Sequence, residues 1–307
     1  MSELRGIFPI IATPFTAKGA VDYDSLENLI RVLIQGGCQA VTLFGIAGEY
    51  YKLTDDEMKK MARLTVDTCK RYGGTSILSV TQHAAQVAVE RAKLYEEMGA
   101  DNLMLLPPFF LKPGQAALYR HMKAVAQAVS LPIMAQYAPE QTGVAIPPQV
   151  YAQLFEECPN IKYYKIECKP AGAYISSLLD LTGGQVGVFL GNAGYQFIEG
   201  FDRGGIGAMP GCSMFDLYLK MYGEYTRGDR AAAAQTHSSL ILPILNHIRQ
   251  NVEMIIAFEK KILKKRGIIE CDLCREPGFV SDRYYDRLFE EHYERIAPHF
   301  TWKEGQA

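Results

Sequence analysis

Short apolar runs alternate with longer amphipathic stretches through most of the chain, the pattern of βα units repeated around a parallel sheet. Eight runs read as strands: 8–12, 40–44, 76–80, 102–106, 132–136, 163–167, 186–190 and 206–209. They are too short for helices, and several are rich in β-branched or aromatic residues. The segments between them place apolar residues at helical spacing, as in Leu26, Leu29, Ile30, Val32 and Leu33. Helix starts are marked where a short acceptor stands three residues ahead of a carboxylate, Asp24 before Glu27 and Thr54 before Glu57.

An uninterrupted series of eight such units predicts an α/β fold closed into a (β/α)8 TIM barrel. Each right-handed crossover returns to a parallel neighbour, and closure leaves no edge strand to protect. The barrel is expected over residues 1–228. Residues 229–307 read as a three-helix C-terminal extension packed on it. No Gly/Ser/Pro-rich linker sets AAAAQTHSSLILPILNHIRQ, EMIIAFEKKILKKR and DRYYDRLFEEHYERI apart as a separate domain.

Composition narrows the function. Of 307 residues 48% are hydrophobic, enough for one large core. Lys and Arg number 32 against 34 Asp and Glu, a formal charge of −2, so no basic field points to nucleic acid or a membrane surface. No apolar run reaches the roughly 18 residues of a spanning helix. The start, MSELRGIFPIIATPF, lacks the features of a signal peptide, and a cytoplasmic protein is expected. Seven scattered cysteines suit a reducing compartment. Cys271 and Cys274 make a CxxC, but His247 and His292 are distant and unpaired, so the pair reads as two ordinary loop thiols rather than part of a four-ligand zinc site.

In a barrel of this kind the working groups lie at the C-terminal ends of strands. After the second strand comes GIAGE, where Gly45, Ile46, Ala47 and Gly48 form either a tight turn or a nest of N–H groups suited to a carboxylate. The sixth strand carries Lys165 among residues expected in the barrel wall. There desolvation disfavours the ammonium and frees the amine to attack a carbonyl. Glu167 shares its face by the period of two, so a plain ion pair fits as well. His83 follows the third strand as an acid or base, or as a helix-capping residue. Asn192, Met209 and Ser213 end strands seven and eight, where Asn192 and Ser213 suit a hydroxylated substrate. There is no GxGxxG opening a helix, no GxxxxGK[ST], no HExxH and no GxSxG.

Together these residues resemble the dihydrodipicolinate synthase and N-acetylneuraminate lyase family of Schiff-base pyruvate aldolases and dehydratases. The likeness runs from about residue 6 to 295: IIATPFTAKGAVD at 10–22, GxxGE at 45–49, LTDDE at 53–57, MGADNLMLLPPFFLKPGQAALYRHM at 98–122, APEQTG at 138–143, and PNIKYYK ending at Lys165. It implies that Lys165 forms the imine. Where the synthases carry GTTGE this chain has Ile46 and Ala47; the relay tyrosines are replaced by Phe110 and Gln136, and the arginine of the turn by Gln141. Tyr137, one residue further along, is expected on the opposite face of the strand. Phenylalanine passes no proton and glutamine does not titrate near neutral pH, so the synthase relay cannot operate as written.

IMAQYAP, YYKIE and GGIGAMPG look more like the sugar-acid dehydratase branch that includes 2-keto-3-deoxyarabonate dehydratase. The resemblance therefore implies a lyase that dehydrates a 2-keto-3-deoxy sugar acid; Glu167, by the face it shares with Lys165, and then His83 are the expected acid/base residues. Gly45, Ile46, Ala47, Gly48, Gln136, Asn192 and Met209 are the expected substrate-binding positions. Retro-aldol cleavage to pyruvate and a catalytically silent 2-oxo acid binder are the alternatives. No metal or organic cofactor is implied, and a homo-oligomer, a tetramer by resemblance, is expected.

Overall fold

The computed structural model describes residues 4–302, so the outermost ends of the two expected segments, 1–3 and 303–307, lie outside the described residues. Eight strands form one sheet: β1 (Gly6–Ile7), β2 (Ala40–Leu43), β3 (Thr75–Val80), β4 (Asn102–Leu105), β5 (Ile133–Tyr137), β6 (Ile161–Ile166), β7 (Gly187–Leu190) and β8 (Gly207–Ala208). Their order is β1-β8-β7-β6-β5-β4-β3-β2, and Ile10 bridges in parallel to both Thr42 and Gly211, giving a nearly closed (β/α)8 barrel. Helices alternate with the strands: α1 (Tyr23–Gln35), α2 (Asp55–Tyr72), α3 (Ala85–Glu97), α4 (Gln115–Ala128), α5 (Pro139–Thr142), α6 (Pro148–Glu157), α7 (Gly172–Leu181), α8 (Phe197–Asp202) and α9 (Phe215–Thr226). Beyond them come α10 (Arg230–Thr236), α11 (Leu242–Ile248), α12 (Val252–Lys265) and α13 (Arg283–Ile296).

By compactness the chain forms two units. One takes Thr75–Met209 with the described residues before Gly6; the other takes Gly6–Gly74 and the chain from Pro210 on. In the first, β3 to β8 pair in parallel with helices between them. Its strands are buried almost throughout, and so read as continuous apolar runs. In the second, α1 packs on α2, and α9 packs on α10 and β1.

Two local expectations are corrected. The first strand was expected at 8–12, but its ladder covers only Gly6–Ile7 and resumes as single bridges at Ile10. Pro9 has no amide hydrogen, so a ladder cannot run through it. The cap of α1 is Asp22, whose Oδ1 accepts from Ser25 N at 3.0 Å, and Asp24 lies in the first turn. An antiparallel bridge between Phe15 and Val21 carries extended backbone up to Asp22, so Tyr23 is the first helical residue. The capping box of α2 is as expected: Thr54 Oγ1 accepts from Glu57 N at 3.2 Å, and Glu57 Oε2 accepts from Thr54 N at 2.9 Å.

The first helix of the C-terminal extension is split. A π-helical turn, His237–Ile241, joins α10 to α11 just ahead of Pro243. Proline has no N–H to donate to the preceding turn, so the hydrogen-bond ladder widens there.

Candidate active site

Lys165 stands on β6 with Gln136 of β5 and Phe189 of β7 as its register partners. Its neighbour Tyr164 points outward, donating from its hydroxyl to the carbonyl of Tyr151 on α6 at 2.8 Å. The pleat therefore turns Lys165, and Glu167 two residues on, toward the barrel interior. Lys162 is the extra residue where the β5 and β6 registers slip, and it is exposed. Lys165 is 3% exposed, and its Nζ lies 3.3 Å from Glu167 Oε1. The amine is thus not alone in an apolar wall: the nucleophile and ion-pair readings of this strand meet in one geometry.

Glu167 is held on every side. Its amide continues the sheet by donating to Tyr137 O at 2.8 Å. Its Oε2 accepts from Gln136 Nε2 at 2.5 Å, and its Oε1 accepts from Asn192 N at 3.1 Å. Asn192 Nδ2 also donates to the Glu167 carbonyl, so these two Asn192 donors face Glu167. Asn192 reaches it from a left-handed backbone, φ 51°, just after β7. Gly191 makes this approach possible, because a Cβ there would lie 2.0 Å from Glu167 Cγ.

The remaining expected residues of this unit make contacts of their own. His83 is exposed; its Nδ1 accepts from Phe109 N at 3.4 Å, and its ring meets that of Phe109 edge-on at 4.8 Å. Partial burial lowers its pKa. Met209 is buried, and its amide donates to Leu190 O at 2.8 Å. Phe110 is 76% exposed. Tyr137 turns outward as the pleat predicts, stacking on Tyr174 with ring centroids 4.5 Å apart.

The GIAGE segment belongs to the other unit. Ile46–Gly48 is a single 3-10 turn capped by Gly45, with Gly48 N donating to Gly45 O at 2.8 Å. A Cβ on Gly48 would sit 2.7 Å from Ile11 O, so only glycine lets these backbones approach. Glu49 is fully buried and pairs with Lys260 of α12 and with Lys52 Nζ at 3.1 Å. Lys260, also fully buried, donates to Leu273 O at 2.9 Å and lies 4.3 Å from the centre of the Phe15 ring. In EKKILKK it reads as one more solvated lysine, and its burial was not visible in the sequence. Ser213 in this unit gives its amide to Glu259 Oε2 at 2.9 Å.

Among the described residues no group of three or more His, Cys, Asp or Glu is placed to hold a metal ion, and no helix is long and apolar enough to cross a membrane.

A model of the dihydrodipicolinate synthetase family matches residues 3–291. The chain belongs to this family. Among curated relatives, the 4-hydroxy-tetrahydrodipicolinate synthase of Methanococcus aeolicus is 32% identical over 178 residues, 58% of this chain. The chain spans 60% of the length of that relative. Among solved structures, dihydrodipicolinate synthase from Aquifex aeolicus superposes with a TM-score of 0.89 at 25% identity, covering 97% of this chain and 100% of that one. A prophage protein of the dihydrodipicolinic acid synthase family from E. coli K12, solved in complex with pyruvate, gives 0.88 at 23% identity, covering 96% and 99%. This last likeness is one of fold.

Proposed function

We propose that the chain is a lysine-imine lyase that removes water from a 2-keto-3-deoxy sugar acid. The observation that carries this reading is the buried trio of β5 and β6: Lys165 Nζ 3.3 Å from Glu167, and Glu167 held in turn by Gln136 at 2.5 Å. An ammonium cannot attack a ketone, and Glu167 is the carboxylate placed to take its proton. The freed amine adds to C2, and the proton returns to the carbinolamine oxygen, which leaves as water. The resulting iminium is an electron sink that lowers the cost of removing a proton from C3. Glu167 accepts that proton and delivers it to the C4 hydroxyl as the C4–O bond breaks. A second water departs and an unsaturated imine remains for hydrolysis.

The side chains at Ile46, Ala47, Phe110 and Gln136 support this reading over synthase chemistry, since none of them transfers a proton near neutral pH. Proton handling then falls to Glu167. The test is borohydride reduction in the presence of pyruvate, followed by peptide mass analysis, beside a panel of 2-keto-3-deoxy acids. The expected results are a reduced adduct on Lys165, absent in Lys165→Ala, and substrate loss without pyruvate release. Pyruvate release would make the enzyme an aldolase, binding without turnover would make it a silent binder, and no adduct at Lys165 would remove the imine altogether.

A further inference from the structure

The amide of Gln136 is oriented by its neighbour. A carboxylate has only acceptors to offer, so the 2.5 Å contact with Glu167 Oε2 must be made by Nε2, and Oε1 is directed away from Glu167. The residue is 1% exposed, and Oε1 has no hydrogen-bond partner among the described residues. A buried acceptor left without a donor is costly, and such a group in a site is explained when a ligand brings the donor. Its position meets that requirement, since Gln136 is the register partner of Lys165 on the same inward face.

We infer that Gln136 is a specificity-determining residue whose Oε1 accepts a hydrogen bond from a substrate hydroxyl beyond the reacting carbons. The inference rests on the imine reading of Lys165. A 2-oxo acid bound as an imine has lost its carbonyl oxygen, and its carboxylate carries no proton. The iminium N–H on Lys165 faces Glu167, whose Oε1 lies 3.3 Å from Nζ, and the donors that remain along the tail are hydroxyls. The hydroxyl in question is not the one that leaves from C4, because donation to a neutral amide draws electron density onto that oxygen without protonating it and works against departure. It is the hydroxyl at C5. Gln136 thereby selects hydroxylated 2-oxo acids over plain ones, while its Nε2 keeps Glu167 in place.

The test uses two acids that can undergo neither C4 dehydration nor aldol cleavage and differ only in the group in question, 5-hydroxy-2-oxopentanoate and 2-oxopentanoate. Each is titrated against the full chain, and the borohydride-reduced adduct on Lys165 is quantified by mass. The hydroxylated acid is expected to half-saturate adduct formation at a concentration about ten-fold lower. In Gln136→Met, similar in size but without the acceptor, that preference should fall below about two-fold; both acids are read in the same variant, so any slower adduct formation from the lost Nε2 bond to Glu167 applies to both and leaves their ratio unaffected. Gln136→Leu serves as a second variant. Equal half-saturation in the unmodified chain, or an undiminished preference in either variant, overturns the inference while leaving the imine reading standing. Absence of any adduct from pyruvate overturns the imine reading itself, and this inference with it.

Discussion

Gly191 and Glu167 are packed so closely that a methyl group on Gly191 would lie 2.0 Å from Glu167 Cγ and 2.6 Å from its Oε1. The glycine follows β7, donates its amide to Ile166 O at 2.9 Å, and leaves room for the carboxylate of Glu167, which pairs with Lys165. Gly191→Ala should therefore displace Glu167 and break its bonds to Gln136 and Asn192. The expected cost is about 1–3 kcal/mol of stability, as for other overpacked sites. Urea denaturation measures it, and the borohydride adduct should form more slowly at matched pyruvate.

Glu167→Gln removes the charge while keeping the shape. Its loss should lower kcat by about 10²–10⁴-fold if Glu167 moves the protons. The Lys165 adduct with pyruvate should still form when trapping is given longer. A variant with unchanged kcat would move the acid/base role elsewhere, with His83 the next residue to examine.

His121 on α4 sets an acid limit to stability. Burial, with a smaller contribution from the charge of His83, pushes its pKa down to about 4, and its Nε2 has no partner among the described residues. An unfolded histidine titrates near 6.5. Between those values the unfolded chain binds the extra proton, so this contribution is full above about pH 6.5 and is lost as pH falls toward 4. The shift corresponds to on the order of 3 kcal/mol. His121→Leu should flatten the stability profile across that window, read from urea midpoints at several pH values.

Lys260→Met should leave Glu49 without its fully buried cation, although Lys52 and the Arg275 amide remain beside the carboxylate. Removing one member of a buried pair typically costs about 3–5 kcal/mol, and the remaining donors place the expected loss near the lower end, about 3 kcal/mol. Lys264→Met, whose lysine forms an exposed pair with Asp272, should cost less than about 1 kcal/mol. Equal effects in the two variants would contradict the buried-pair account.

The amino-acid pattern by itself determined the order of the eight βα units, the approximate place of each strand, and the inward face shared by Lys165 and Glu167. It also turned Tyr137 outward. These are properties of alternation along one strand or of spacing along one helix, and both are local. The early proline that shortens β1 and the cap at Asp22 were equally local, but were masked by a longer apolar run and by a competing acidic residue. Only the tertiary structure decided that Glu167 is gripped by Gln136 and Asn192, 31 and 25 positions away, and that Lys260 meets Glu49 across 211 positions. Such meetings depend on strand register and on helix packing after the chain has folded. No periodicity in the sequence encodes which distant side chain supplies the missing charge or hydrogen bond.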